Sequence, residues 1–226
     1  MSYNENITRI KAVHDALGEL KDQVVFVGGA TVSLYADRPA TESRPTEDVD
    51  IVVELYNYAD YAALENTLRM KGFENDRESG VLCRYRINGI IVDVMASSED
   101  VLGFSNRWYP EAVKQSNTKD LGSNYTVRIF TSPYFVATKL EAFKHRGEGD
   151  GRFSSDFEDI VYILNNRSSI WDEIKHSDEA VRSYLINEFK SLLKNSYLDE
   201  WISAHLEYHE RRRVDFVVNS IRELVE

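Results

Sequence analysis

The stretch Glu47-Asp48-Val49-Asp50-Ile51-Val52-Val53 decides how this chain is read. In an extended strand, residues i and i+2 point the same way. Asp48 and Asp50 therefore project two carboxylates from one face of an otherwise apolar, β-branched strand. A third aspartate, Asp93, is embedded in the same manner between Ile90-Ile91-Val92 and Val94-Met95. Aspartate is depleted from strand interiors, and crowded carboxylates repel one another. A hard divalent cation with oxygen ligands relieves that repulsion, and Mg²⁺ carrying a triphosphate fits best. These residues point to an enzyme that moves a nucleotidyl or phosphoryl group. The competing reading of Asp93 is a structural salt bridge, with Arg84 as its partner.

Working outward, Ile7, Ile10, Val13, Leu17 and Leu20 recur at three- and four-residue steps, which predicts an amphipathic helix. Val24–Val27 is a short buried strand ended by Gly28-Gly29, and Ala30–Ala36 is a short helix. Arg38–Glu47 carries Pro39 and Pro45 and is a loop. Val49–Leu55 is the second strand, and Tyr58–Lys71 is a helix that Gly72 terminates. Val81–Ile87 and Ile90–Met95 flank Asn88-Gly89, the strongest short-range hairpin signal. With a two-residue loop Ile87 pairs with Ile90, and Arg84 then falls opposite Asp93. Tyr125–Phe130 is the last strand.

Beyond Ser132-Pro133 the texture becomes helical, with Ser132 as N-cap and Pro133 at the first helical position. The helices expected are Pro133–Arg146, Ser155–Asn165, Asp178–Lys194 and Glu207–Val225. The Gly-rich segment Gly147–Gly151 separates the first two. The division is an α/β part over residues 1–130 and an all-α part over 131–226.

The chain has 226 residues, 42% of them hydrophobic, enough to bury a core. Its net charge of -11 argues against a protein whose whole surface binds nucleic acid, while leaving room for a local basic groove. The single cysteine, Cys83, reads as a small buried thiol. Met1–Asn6 is polar and no apolar core of a signal peptide follows it. No run is long enough to span a bilayer. A reducing, cytoplasmic setting and no membrane partner are expected.

Gly28-Gly29 lies between a strand and a short helix, where close backbone approach and free N–H groups suit an anion. Thr31 could add a hydroxyl. Lys139 and Arg146 share one helix face with Ala142 and Phe143. Ser155 and Glu158 make a capping box, which puts Asp156 in the first helical turn, where the helix dipole alone stabilises it. Asp159 is thus the better functional candidate of the two, and Asp156 stays open. Arg211-Arg212-Arg213 reads as a solvated helical face. His205 and His209 are four apart but lack a third ligand, and no metal is assigned to them.

The order of strand, Gly28-Gly29 turn, short helix, Asp48-x-Asp50 and then Asp93 resembles the nucleotidyltransferase-fold, or polymerase-beta-like, superfamily. The eighteen residues Ala30–Glu47 make a longer connection than many members use. The second half, from Ser132 through Lys139 to Arg146 and then Asp156-Phe157-Glu158-Asp159, is similar to the AbiEii-type branch, which includes toxins of toxin–antitoxin and phage-defence systems. The resemblance implies a small mixed nucleotidyltransferase sheet with flanking helices, followed by an all-α C-terminal part. It implies Asp48, Asp50 and Asp93 as metal ligands and catalytic residues, with two Mg²⁺ ions. Gly28, Gly29 and Thr31 would orient the phosphates of an NTP. Lys139 matches the branch's phosphate-holding lysine, and Asp159 or Asp156 its last acidic residue.

The implied reaction moves NMP from an NTP, such as ATP, to an acceptor hydroxyl, with pyrophosphate released. In the branch the acceptor can be RNA, with tRNA 3′ ends the known example, and a neutralising antitoxin protein is a further partner. RNA contact confined to Lys139, Lys144, Arg146 and Arg152 would fit the acidic composition. The alternatives are a small hydroxylated acceptor, as in antibiotic-modifying nucleotidyltransferases, and a non-catalytic nucleotide-binding module of the same fold.

Overall fold

A computed structural model describes residues 2–38, 43–55, 57–147 and 149–226. The chain forms two compact units, Met1–Leu34 with Glu42–Thr131, and Tyr35–Thr41 with Ser132–Glu226. Part of the expected loop, 39–42, and Glu148 of the Gly-rich segment lie outside the described residues.

The first unit is built on one mixed sheet. Its strands are β1 (Val24–Val27), β2 (Asp48–Val53), β3 (Glu74–Asn75), β4 (Arg84–Ile87), β5 (Ile90–Ala96), β6 (Asn117–Asp120) and β7 (Thr126–Ile129). They run in the order β3-β4-β5-β2-β1-β7-β6. The central pairs β2–β5 and β1–β7 are parallel, and the remaining neighbours are antiparallel. Buried β-branched residues on β1, β2 and β5 account for this: Val25, Ile51, Val52, Val92 and Val94 are all buried, the pattern of strands covered on both faces. The helix α1 (Ser2–Leu17) buries Ile10, Val13 and Leu17 and packs near β2 and β5. Leu20, expected on that helix, lies in a 3₁₀ segment, Gly18–Gln23, because Gly18 takes φ +55° and breaks the α-helix.

The expected Ala30–Ala36 helix is a 3₁₀ turn, Gly29–Tyr35. The helix α2 (Tyr58–Met70) starts on Asn57, whose side chain accepts from the Asp60 amide, and stops before Gly72 at φ +89°. The Asn88-Gly89 turn has φ +51° and +79°, the paired positive values of a type I′ hairpin. It fixes the counted register, with Ile87 opposite Ile90 and Arg84 opposite Asp93. Strand β4 begins only at Arg84, so Cys83 lies in a turn rather than a strand; it is buried all the same. Burial, with the negative charges of Asp93 and Asp50 nearby, pushes its thiol up to about 11, which makes it a poor nucleophile. The short helices α3 (Glu99–Leu102) and α4 (Tyr109–Lys114) complete the unit.

The second unit is helical: α5 (Ser132–Arg146), α6 (Ser155–Asn166), α7 (Ile170–Lys175), α8 (Glu179–Leu192), α9 (Leu198–Ala204) and α10 (Val214–Val225). Among the described residues, no helix is long and apolar enough to cross a membrane. The cap of α6 is Ser154, not Ser155: Ser154 is extended and its hydroxyl accepts from the Phe157 amide. Asp156 still falls in the first turn. Arg211–Arg213 sit in a 3₁₀ turn ahead of α10 rather than on it. Phe143, Phe157 and Trp201 form an aromatic cluster with ring centroids 5.2–5.9 Å apart.

Beside that cluster lies an ionic core. Lys139 of α5 is 6% exposed, and its Nζ reaches Asp159 Oδ2 at 2.6 Å and Asp156 Oδ1 at 3.0 Å on α6. Arg146 closes the group with two bonds to Asp156, of 2.6 and 2.9 Å. Burial alone would lower the Lys139 pKa, but Asp159 and Asp156 outweigh it and hold the ammonium above its ordinary value. Burial likewise works against Asp156, yet Arg146 and Lys139 hold its carboxyl below the usual range. The contribution of Asp156 is therefore present above 3.8 and lost as pH falls through its lower folded value. That of Lys139 is present below 10.5 and lost as pH rises through its higher folded value. Replacing Lys139 with methionine leaves two buried carboxylates short of a partner and should cost about 3–5 kcal/mol. Urea unfolding at neutral pH measures this, and a change under about 1 kcal/mol would show that the pair does not hold α5 to α6.

Candidate active site

The three aspartates predicted from sequence do meet. In the parallel pair β2–β5, Asp50 stands opposite Asp93. In the hairpin, Asp93 stands opposite Arg84. On the other side Asp50 stands opposite Val27, the residue before Gly28. Arg84, Asp93 and Asp50 thus occupy one cross-strand row, and Asp48 projects from the same face two residues before Asp50. One carboxylate oxygen from each of Asp48, Asp50 and Asp93 lies within 4.8 Å of the others. All the donors are hard oxygens, the set that suits Mg²⁺ or a similar divalent ion.

The buried neighbours Val49, Ile51, Val92 and Val94 fix this arrangement, because they alternate with the aspartates and anchor the opposite face. Asp93 is itself largely buried, while Asp48 remains 39% exposed at the side chain. Arg84 makes a bidentate pair with Asp93, Nε to Oδ1 at 2.8 Å and Nη2 to Oδ2 at 2.7 Å. The same Nη2 lies 3.7 Å from Asp48 Oδ2. The Asp93 hydrogen bond first, and the two carboxylate charges with it, raise the Arg84 pKa against the cost of burial, so the guanidinium is permanently charged. The salt bridge read from sequence is therefore present, and Asp93 lies in the acidic cluster at the same time.

The glycine turn is shaped around the carboxylates. Gly28 has φ +71°, and a Cβ there would stand 1.8 Å from Asp50 Oδ2. No side chain fits between the turn and that carboxylate. A Cβ on Gly29 would stand 2.4 Å from Arg44 Nη2 and 2.9 Å from Thr46 Cγ2. Arg44 is thus brought over the turn by the segment leading into β2. Asn6 of α1 holds that segment: its side chain donates to the Arg44 carbonyl at 3.2 Å and accepts from the Thr46 amide at 3.2 Å. Arg9 donates to the Thr46 carbonyl at 2.6 Å.

Sequence reasoning missed Arg44 and Asn6. The only available signal was a buried-type asparagine among the apolar steps of α1 and an arginine four residues before Asp48. Neither position announces a role without its tertiary partner.

The remaining expected residues are placed differently. Thr31 is fully buried, and its hydroxyl donates to the Gly28 carbonyl at 2.9 Å, so it braces the turn. Lys139 and Asp159 lie in the second unit, paired as described above. His205 accepts or donates through Nε2 at the Gly151 carbonyl, 2.7 Å away, a structural contact.

Among solved structures, that of the antibiotic-resistance factor ANT(2'')-Ia is similar, with a TM-score of 0.50 over 85% of this chain and 96% of that one. The two share 12% sequence identity, so the likeness concerns the fold. No curated protein matches the chain in sequence. The family described as "Nucleotidyl transferase AbiEii toxin, Type IV TA system" matches residues 13–215, a span that takes in the glycine turn, all three aspartates and the ionic core. The chain belongs to this AbiEii family of nucleotidyl transferases.

Proposed function

We propose that this transferase moves NMP from an NTP to a hydroxyl of an RNA, in a metal-dependent reaction carried by the first unit. The convergence of Asp48, Asp50 and Asp93 carries the reading. A divalent ion held by these carboxylates would offset triphosphate charge and stabilise charge developing at the reacting phosphorus. The acceptor oxygen forms a bond to the α-phosphorus as the bond to the bridging oxygen breaks and pyrophosphate leaves. The acceptor's proton passes to Asp93, whose carboxylate retains lone pairs beyond the two that Arg84 engages.

Gly28 and Gly29 supply a turn without side chains of its own, and Arg44 supplies positive charge over it. Together they suit the β- and γ-phosphates. Thr31 supports the cradle from beneath. Lys139 and Asp159 stay in the proposal for phosphate charge on the strength of the family resemblance. Since Asp156 and Asp159 both hold the Lys139 ammonium, it would meet a phosphate only by sharing or leaving one of them.

The RNA acceptor draws support from the surface of the second unit. Phe153 is 86% exposed and Tyr208 84% exposed. Each carries an arginine against its ring, Arg152 at 5.6 Å and Arg211 at 5.4 Å. Exposed rings beside arginines are the elements on which unpaired bases stack. A cytoplasmic setting and a neutralising antitoxin protein complete the proposal.

Three outcomes follow from these assignments. Incubation with each labelled NTP, Mg²⁺ and total cell RNA should place label in RNA, and Asp48→Asn should reduce it at least about a thousandfold, the several kcal/mol that metal stabilisation supplies. Persistent labelling by that variant would remove the triad from the chemistry, and label on small molecules alone would shift the acceptor class. Arg44→Gln should raise the KM for NTP about 10- to 100-fold with a smaller change in kcat, the loss of a charge-assisted contact. An unchanged KM would take Arg44 out of the cradle. The double variant Phe153→Ala/Tyr208→Ala should lower RNA labelling about tenfold or more while leaving the KM for NTP unchanged, since base stacking contributes about 1–3 kcal/mol per base. Equal labelling would show that RNA does not use these rings.

A further inference from the structure

We propose that Arg38 and Arg213, drawn together at the end of α6, hold a backbone phosphate of the RNA acceptor, with Arg212 at the rim. The inference rests on the reading of RNA as the acceptor. Both arginines belong to the second unit, since Tyr35–Thr41 is part of it. Arg38 Nε and Arg213 Nη2 each donate to the Asn165 carbonyl at 3.0 Å, so two guanidiniums meet at one oxygen. The Arg213 guanidinium also lies over the Phe216 ring, 4.4 Å from its centroid. Buried Glu210 pairs with Arg38 and accepts from the Asn165 side-chain amide at 3.0 Å. Among the described residues, Nη1 of neither arginine makes a hydrogen bond. The Arg38 side chain is 28% exposed, and Arg213, expected on a solvated face, is half-buried.

Capping the last turn of α6 accounts for one cation at that carbonyl. The second sets like charges side by side. Burial, and then the charge of Arg38, hold the Arg213 guanidinium below its ordinary value; Arg212 adds to this, and Glu210 is the one carboxylate opposing it. Other carboxylates of the network are already engaged, Asp37 by Ser168 and Ser169 and Glu173 by Arg167. A phosphodiester brings the missing negative charge, with oxygens that match the edge of a guanidinium. The same 3₁₀ turn, Tyr208–Arg213, carries the exposed Tyr208 ring with Arg211 against it. A stacking ring and phosphate-binding arginines on one turn suit a single strand.

The test is the affinity of the nucleotide-free full chain for a labelled, unstructured single-stranded oligoribonucleotide, followed by fluorescence anisotropy over a series of salt concentrations. Arg213→Gln should weaken binding about 10- to 100-fold, the loss of a charge-assisted contact. It should also flatten the slope of log K against log salt by about 0.7, the share of one phosphate in a single strand. Arg213→Lys, which keeps the charge, should keep most of the slope. Arg212 is exposed and makes no hydrogen bond among the described residues, so Arg212→Gln should flatten the slope with an unchanged melting temperature. An unchanged slope in folded Arg213→Gln, or in Arg212→Gln should Arg213→Gln not fold, would overturn the inference and reduce the arginines to a cap on α6. A raised KM for NTP in these variants, with the RNA slope intact, would overturn it in favour of the nucleotide. No binding of the oligoribonucleotide to the wild-type chain would overturn both the inference and the RNA reading.

Discussion

Everything at the site depends on holding three like charges together on a surface that cannot yield. At a separation of 4.8 Å, two carboxylates repel by about 3 kcal/mol at an effective dielectric of 20, before solvent and salt reduce it. Three such pairs would be comparable to the whole stability of a typical domain. The sheet withstands this because each aspartate alternates with fully buried β-branched neighbours. Moving Asp50 away from Asp93 would drag Val49 and Ile51 out of the core. Arg84 supplies the compensating charge from the adjacent strand. Rigid packing and the Arg84 guanidinium help the cluster persist while the Asp48 side chain stays 39% exposed.

Much of this was legible in the chain because the relevant rules are local. Strand periodicity put Asp48 and Asp50 on one face. The Asn88-Gly89 turn fixed the hairpin register by counting alone, and with it the Arg84–Asp93 pair. The parallel pairing that sets Asp50 against Asp93 joins residues 43 apart, and no local rule reaches it; that the two meet was suggested only by the oddity of aspartates inside apolar strands and by the resemblance to a fold family. Edge strands β3 and β6 escaped notice for a physical reason. Glu74-Asn75 is too short to show a period, and Asn117-Thr118-Lys119-Asp120 buries nothing, so neither carries a hydrophobic signal.

Helix ends were misplaced where two rules competed. Ser154 and Ser155 are equal candidates for a cap by composition, and the extended backbone at Ser154 decides between them. Gly18 falls within an unbroken run of apolar steps, yet its positive φ ends the α-helix there. Asn6 and Arg44 belong to a different class. Their importance comes from a clamp between α1 and the segment ahead of β2 that exists only once the unit has folded. The polar loop that carries Arg44 has no periodicity from which that clamp could be read.

Lys139 shows how a residue match and a physical role can separate. The motif Lys139 to Arg146, then Asp156 to Asp159, reads from sequence as two cations near two acids. In the folded unit Lys139, Asp156 and Asp159 are buried together between two helices, and Arg146, its side chain 69% exposed, pairs with Asp156 from the rim. A lysine compensated by two carboxylates offers little net attraction to a phosphate. The same cluster becomes attractive to an anion only if a carboxylate is neutralised or displaced, and displacement would loosen the contact of α5 with α6. Any phosphate role for Lys139 is therefore coupled to the packing of the second unit.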